Sequence, residues 1–208
     1  MYEIDDVTDV TELEPGTNVM IAGPPMTGKR DLALDVLASG AERGEGSIVV
    51  STKDSAPKIL EHFDEITTVE DFEIGVVDCV TRQRGIGTVD EDDPRVKYAS
   101  SPVDLTGIGI KLSEFLQEFY ELRECTENRI VLHSVSTLLM YSDLRTVFRF
   151  LHVFTGRIQS ADALGLCVID STAHDDQTMN TLKQLFDVIV ELEETDEGER
   201  RIHTAGHH

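Results

Sequence analysis

The stretch NVMIAGPPMTGKRDLALDVL, residues 18–37, decides the fold of this chain. It starts with a short apolar run at residues 19–22, which predicts a buried strand, and it ends in a helix-forming segment that begins near Arg30. Between the two lies the pattern G-x-x-x-x-G-K, which runs from Gly23 to Lys29. A strand before this pattern and a helix after it are the context of a phosphate-binding loop.

The loop pattern suits an anion for physical reasons. Glycine permits backbone angles that a side chain would forbid, so successive N–H groups can turn inward around a phosphate. The positive end of the following helix and the lysine charge favour the same anion. The alternative is an ordinary Gly-Pro turn before a helix with an exposed lysine. We predict a nucleotide-binding site made of Gly23, Pro24, Pro25, Met26, Thr27, Gly28, Lys29 and Arg30.

Arg30 departs from the usual pattern, which ends in Ser or Thr and uses that hydroxyl to ligate Mg²⁺. A guanidinium cannot ligate a metal, and a cation about 4 Å from Mg²⁺ costs on the order of several kcal/mol at an effective dielectric constant of about 20. Either Arg30 points away and another group holds the metal, or Lys29 and Arg30 together replace part of its charge. The sequence therefore supports nucleotide binding more strongly than hydrolysis, and it leaves the magnesium ion open.

The chain has 208 residues, of which 40% are hydrophobic, and this is enough for the core of one domain. We predict a single domain over residues 1–192 and a charged, flexible tail over residues 193–208; no role is assigned to His207 and His208. No apolar run approaches the length of a membrane span, and the first ten residues, MYEIDDVTDV, are acidic rather than signal-like. We therefore expect a cytoplasmic protein without a membrane partner.

Charge is the unusual part of the composition. The chain contains 40 acidic and 18 basic residues, so its formal net charge is −22, and most of the basic residues are arginines. Such a lysine-poor, acidic composition is typical of salt-accumulating archaea, where a Debye length of about 3 Å at 1 M salt screens the self-repulsion. The alternative is an acidic mesophilic protein. The negative field argues against non-specific binding to duplex nucleic acid.

Apolar runs alternate with helical patterns along the rest of the chain. This alternation predicts the fold class α/β, with a doubly wound, mainly parallel sheet flanked by helices. The expected strands lie at residues 19–22, 47–51, 74–80, 129–135, 166–169 and 188–192. The expected helices lie near residues 30–38, 58–63, 112–119, 144–154 and 179–186. Residues 81–104 are interpreted as a long surface loop with a short strand at residues 96–100.

Polar residues at strand ends are the next site candidates, because the carboxyl ends of parallel strands line the ligand crevice. The strand at residues 130–132 ends in His133 and Ser134, where an aspartate that orients Mg²⁺ is usual. His133 either contacts phosphate or water or is simply a polar residue at a strand mouth. Ser134 and Asp170 are candidate metal ligands, and Asp78 is a weaker one. Asp54, after the second strand, is the candidate catalytic general base.

Four segments together resemble a known family. They are LEPGTNVMIAGPPMTGK (13–29), VVSTKDS (49–55), RIVLHSVSTLL (129–139) and LFDVIVELEE (185–194). In this order they resemble the RecA superfamily and, within it, the KaiC-like ATPases of archaea, more narrowly the haloarchaeal relatives of KaiC/GvpD type. The resemblance implies a RecA-like P-loop NTPase core, ATP as the ligand, and rings or filaments with nucleotide at subunit interfaces.

The departures from that family decide the functional hypothesis. KaiC-like enzymes have Thr at the position of Arg30, Asp at the position of His133, and a Glu pair at the position of Lys53-Asp54. We therefore expect an ATP-binding regulatory or signalling protein with weak or absent hydrolysis, whose nucleotide occupancy biases a protein partner or self-assembly. One alternative is an active Mg²⁺-dependent ATPase with substitute ligands from Thr27, Ser134 or Asp170. The other is a nucleotide-free interaction module that presents the helix at residues 144–154.

Overall fold

The computed structural model of the chain describes residues 1–4, 12–85, 89–194 and 200–206. The strands are β1 (Tyr2–Glu3), β2 (Glu12–Leu13), β3 (Asn18–Gly23), β4 (Gly46–Ser51), β5 (Ile74–Asp78), β6 (Val96–Tyr98), β7 (Asn128–His133), β8 (Leu164–Asp170), β9 (Val188–Glu194) and β10 (Arg200–Gly206). The helices are α1 (Lys29–Ala41), α2 (Ala56–Ile66), α3 (Thr81–Arg84), α4 (Leu105–Leu122), α5 (Val135–Tyr141), α6 (Leu144–Ser160) and α7 (Asp176–Lys183).

Eight of these strands form one sheet in the order β10-β9-β3-β8-β7-β4-β5-β6. Neighbouring strands are parallel throughout this sheet, except that β10 runs antiparallel to β9. Strands β3, β4 and β7 are buried at every residue, as expected of central parallel strands covered on both faces. The predicted α/β class with a mainly parallel sheet is therefore confirmed.

Helices cover both faces of the sheet and enclose two apolar layers. Helices α1 and α2 pack on one face through residues such as Leu32 and Phe63. Helices α4, α5, α6 and α7 pack on the other face through residues such as Phe115 and Leu151. Among the residues that the structure describes, no helix combines the length and the apolar character needed to cross a membrane.

The structure corrects four local expectations. The strand expected at residues 129–135 stops at His133, because Ser134 caps the separate helix α5. The strand expected at residues 96–100 is shorter, and α3 adds a helical turn to the expected loop. Residues 200–206 of the expected flexible tail form β10, which pairs with β9 through residues such as Ile202 opposite Leu192. This pairing covers an edge of β9 that would otherwise expose unpaired backbone groups. Residues 86–88, 195–199, His207 and His208 lie outside the described residues.

A buried ion pair ties the first helix to the sheet. Arg129 on β7 is fully buried, and its Nε and Nη2 donate to the two carboxylate oxygens of Glu45 at 2.6 and 2.9 Å. The same guanidinium donates from Nη1 to the Val36 carbonyl of α1 at 2.8 Å and from Nη2 to the Glu3 carbonyl at 3.0 Å. Arg129 therefore holds α1, β1 and the start of β4 together at the amino end of the strands, the end opposite the loop.

Alanine substitutions at two glycines, one tightly packed and one with open space beside it, test how closely the helices pack on the sheet. A Cβ at Gly75 of β5 would lie 2.8 Å from two ring carbons of Phe115, so Gly75→Ala is expected to destabilise the fold by about 1–3 kcal/mol. A Cβ at Gly156 of α6 would meet no atom within 4 Å, so Gly156→Ala is expected to stabilise it by about 0.5–1 kcal/mol. Urea unfolding at one fixed salt concentration measures both, and changes of the same sign would contradict this difference in packing.

Candidate functional site

The loop between β3 and α1 has the backbone shape of an anion-binding turn. Gly28, which precedes α1, lies in the left-handed region at φ 77°, and Met26 does so at φ 66° while its side chain is 99% exposed. At Gly23 the sequence-based explanation, freedom of the backbone angles, does not apply. A Cβ there would lie 2.6 Å from the Leu192 carbonyl oxygen, so the position is fixed by close packing against β9.

The start of α1 offers free hydrogen-bond donors. Within the described residues, the backbone N–H groups of Gly28, Lys29 and Arg30 donate to no protein acceptor, and no side chain caps the helix. Unpaired N–H groups at a helix start, together with the helix dipole, favour an anion. The predicted phosphate site therefore has its backbone donors available.

Lys29 is folded into its own loop. Its side chain is 5% exposed, and Nζ lies 2.9 Å from Asp170 Oδ1 and 2.5 Å from the Pro24 carbonyl oxygen. Asp170 reaches the loop because β8 lies directly beside β3, with Asp170 paired in register with Gly23. The ammonium is thus held in place by one carboxylate and one carbonyl at the edge of the loop.

A cavity of about 430 Å³ opens beside the loop, a size within the range of small-molecule sites. Three basic and three acidic side chains line it, so its formal charge is zero on a chain whose net charge is −22. Its charged and titratable lining consists of Lys29, Arg30, Lys53, Asp31, Asp54, Asp170 and His133. The structure thus brings the loop together with three of the predicted strand-end residues, Asp54, His133 and Asp170.

Arg30 does not swing away from the cavity. Its Nε lies 3.0 Å from Asp54 Oδ2, and because the N–H is not aligned for a hydrogen bond the contact is purely ionic. Lys58 donates to the other oxygen of Asp54 at 2.5 Å. Burial raises the pKa of Asp54, but the Lys58 hydrogen bond and the Arg30 charge outweigh burial and lower the pKa below its ordinary value. A carboxylate held this way is a weak proton acceptor.

His133 is buried at the end of β7, where residue exposure is 8%. Burial lowers the pKa of His133 to about 4; the charges of Lys53 and Arg30 lower it too, whereas those of Asp54 and Asp170 raise it. The imidazole is therefore neutral at pH 7. Its Nδ1 is buried without a hydrogen-bond partner among the described residues.

The remaining candidates serve the fold. Ser134 Oγ accepts a hydrogen bond from the Thr137 N–H at 3.3 Å and caps α5. Thr27 Oγ1 donates to the Pro24 carbonyl at 2.9 Å inside the loop. Asp78 is fully buried and accepts four hydrogen bonds, from the N–H groups of residues 56, 80 and 81 and from the Thr81 hydroxyl.

The described residues do not fit a resident magnesium ion. Mg²⁺ needs octahedral oxygen ligands, normally one or two carboxylates with water and phosphate. Here the three carboxylates that line the cavity are each paired with a cation: Asp170 with Lys29, Asp54 with Arg30 and Lys58, and Asp31 with Arg30. In the part of the chain that the structure describes, no group of three or more His, Cys, Asp or Glu side chains is placed to hold a metal.

A second cavity, which the sequence did not reveal, lies on the other side of the loop. It measures about 420 Å³ and lies among the loop residues Gly23 and Pro24, helix α7 and the end of β9. Its polar wall includes Asn180 and Lys183. The sequence could not predict this cavity, because the proximity of α7 and β9 to the loop depends on the strand order, in which β9 lies next to β3.

A sequence model described as "Family of unknown function (DUF7504)" matches residues 16–192. The chain belongs to that family. No curated protein sequence matches it. The matched range begins just before β3 and ends within β9, so the DUF7504 region includes the loop and every strand end that lines the first cavity.

Two solved structures from Pyrococcus horikoshii share the fold of this DUF7504 chain. One is the uncharacterized protein PH0321 in complex with an unknown peptide, with a TM-score of 0.67, 12% identity, and coverage of 94% of this chain and 85% of that one. The other is the KaiC-like protein PH0186, from strain OT3, with a TM-score of 0.59, 14% identity, and coverage of 97% and 83%. At such identities the likeness shows the fold alone. It confirms the RecA-like fold that the resemblance implied, whereas the haloarchaeal branch stays a prediction.

Proposed function

We propose that this DUF7504 chain binds a nucleoside triphosphate through residues 23–30 and hydrolyses it weakly or not at all. The observation that carries the proposal is the set of N–H groups at Gly28, Lys29 and Arg30, which have no acceptor within the described part of the chain and lie on the wall of a cavity that also holds the Lys29 ammonium. The second cavity leaves room for a nucleoside on the other side of the loop. ATP as the nucleotide follows from the resemblance to KaiC-like proteins.

Lys29→Ala tests this proposal. Because the substitution removes a charge-assisted hydrogen bond to phosphate, the affinity for ATP is expected to fall roughly 10- to 100-fold. Equilibrium binding of a fluorescent ATP analogue at multimolar KCl measures the change, in keeping with the acidic composition. Lys111→Ala is the matched control, since Lys111 lies on α4 and pairs with Glu114 at 3.2 Å.

Two results would reject phosphate binding at the loop. One is the absence of binding by the wild-type chain, and the other is equal binding by Lys29→Ala. Because Lys29→Ala also leaves Asp170 unpaired, the pair Lys29→Ala and Lys29→Ala/Asp170→Ala separates the lost phosphate contact from an unpaired carboxylate. Both variants are expected to bind weakly.

The second candidate function is a true ATPase with Asp54 as the general base. The pairing of Asp54 with Arg30 and Lys58 argues against it, because both carboxylate oxygens already have cationic partners. We expect any Mg²⁺-dependent turnover to be unchanged within about twofold in Asp54→Asn, since a base contributes roughly 100-fold or more where it acts. Loss of turnover in this variant, measured as phosphate release, would instead establish the ATPase.

Helix α6 is the proposed binding surface for a protein partner or for a second copy of this chain. This helix contains three arginines and no acidic residue in a chain with 40 acidic residues. The side chains of Arg145 and Arg149 are exposed and form no ion pair or hydrogen bond within the described residues, and Val153, one turn after Arg149, is 52% exposed. The peptide bound to PH0321 is consistent with partner binding in this fold.

Helix α6 is connected to the nucleotide cavity by a short path. His133 lines the cavity, the adjacent Ser134 caps α5, and α5 packs against α6. Occupancy of the cavity could therefore bias the position of α6. Sedimentation velocity with and without ATP tests self-assembly, for the wild type and for Arg149→Glu. A complex that is equal in both states and unchanged by Lys29→Ala would favour the nucleotide-free interaction module.

A further inference from the structure

We propose that the cavity binds its triphosphate without a divalent cation, and that Arg30 occupies the role that magnesium has in other phosphate loops. The ligand is then the metal-free polyphosphate, not its magnesium complex. This inference rests on the proposed function, because it names the chemical form of the ligand that the same cavity takes. Three independent features of the described residues lead to it.

The first feature is the position of Arg30. The side chain lies on the first turn of α1 next to Lys29, it lines the cavity, and it is only 22% exposed. Asp54 and Asp31 hold the guanidinium, with N–O distances of 3.0 and 3.2 Å. A divalent cation beside it would meet a fixed positive charge, and Coulomb repulsion would oppose its binding. The same charge attracts phosphate oxygens, to which a guanidinium can donate two hydrogen bonds.

The second feature is the state of the oxygen atoms that could ligate a metal. Asp170 is paired with Lys29, and Asp54 is shared by Arg30 and Lys58. A metal would have to displace a cation from either carboxylate. Asp31 is paired with Arg30 as well, so each carboxylate of the cavity lining already has a cationic partner. Lys53 adds a positive charge of its own, since it is exposed and has no ion-pair partner among the described residues.

The third feature is His133, which stands where a metal-orienting carboxylate would be expected. The residue is more than nine-tenths buried, it lines the cavity, and neither ring nitrogen is hydrogen-bonded within the described residues. Only Nδ1 is cut off from solvent, so Nε2 is the nitrogen that a ligand can reach. A neutral imidazole protonated at Nε2 donates a hydrogen bond to a phosphate oxygen and does not repel Arg30.

The test compares binding of a fluorescent ATP analogue in EDTA and in excess MgCl₂ at matched ionic strength. We expect the wild-type chain to bind in EDTA, with an affinity at least equal to that in MgCl₂. Inorganic triphosphate is expected to compete in EDTA, because the recognition is of phosphate charge. Binding that is lost in EDTA and restored by MgCl₂ would overturn the inference while leaving the proposed function intact. Absence of binding in both conditions would overturn the proposed function and the inference with it.

Arg30→Thr and Arg30→Lys provide the matched variants. Arg30→Thr restores the usual hydroxyl, so its affinity in EDTA is expected to fall at least 10-fold and to be partly recovered by MgCl₂. Arg30→Lys keeps the positive charge but loses the two-donor geometry of the guanidinium, so its affinity in EDTA is expected to lie between those of the wild type and Arg30→Thr. Urea unfolding establishes that both variants are folded. Unchanged binding of Arg30→Thr in EDTA would overturn the role given to Arg30.

Discussion

Replacing Arg129 by methionine is expected to lower the free energy of unfolding by about 3–5 kcal/mol, a larger effect than that of either glycine substitution. The methionine fills much of the space, but it leaves the Glu45 carboxylate buried without its counter-ion. The Val36 and Glu3 carbonyls also lose their donor. Urea unfolding at fixed KCl concentration measures the loss.

Two controls separate burial from charge in this experiment. Arg95→Met breaks a more exposed ion pair with Asp93, and the expected cost is below about 1 kcal/mol. The double variant Arg129→Met/Glu45→Leu removes both buried charges, so it is expected to be more stable than Arg129→Met alone. A double variant that is less stable than the single one would show that the unpaired Glu45 carboxylate is not the cause of the loss in Arg129→Met.

The local pattern around the loop was enough to predict the first strand, the loop and the helix start, and the alternation of strands and helices along the chain predicted the fold class. A buried run, two glycines, a lysine and a helical segment lie within 20 residues, so their geometry depends mainly on local backbone preferences. The apolar runs at residues 47–51 and 166–169 likewise predicted central strands, since a parallel sheet covered on both faces requires near-continuous apolar sequence. Conversely, α5 was missed because it follows β7 without a turn signal between them.

Long-range pairings could not be predicted from the sequence. Arg129 opens an apolar strand, and its partner Glu45 lies 84 positions away. The contact between Lys29 and Asp170 exists because β8 lies between β3 and β7, and strand order is not contained in hydrophobic periodicity. The same limit explains why Asp54 was predicted at the right strand end while its contact with Arg30 was not. Local sequence thus located the candidate site, whereas the ion pairs of its carboxylates depend on the tertiary structure.

His133 makes the stability of the fold depend on pH in a defined window. Because its pKa is lowered from about 6.5 in the unfolded chain to about 4 in the fold, the unfolded chain binds the proton more readily between these values. The contribution of neutral His133 is therefore fully present above about pH 6.5 and is lost as the pH falls towards 4. The expected loss from pH 7 to pH 4 is about 3 kcal/mol.

A difference measurement isolates this effect from the many carboxylates. His133→Gln cannot gain a proton, so its unfolding free energy is expected to fall by about 3 kcal/mol less than that of the wild type between pH 7 and pH 4. Urea unfolding at several pH values in one buffer series gives both curves. Parallel curves for the two proteins would contradict a neutral, buried His133.

Lys53→Gln gives an independent test of the same cause. The Lys53 side chain is exposed, so its removal should leave the fold intact, yet its charge helps to lower the pKa of His133. Without that charge the folded-state pKa rises towards its ordinary value, and the stability lost between pH 7 and pH 4 becomes smaller than in the wild type. An NMR titration of the His133 ring measures the pKa directly. A His133 pKa that falls in Lys53→Gln would contradict the conclusion that the Lys53 charge helps to lower this pKa.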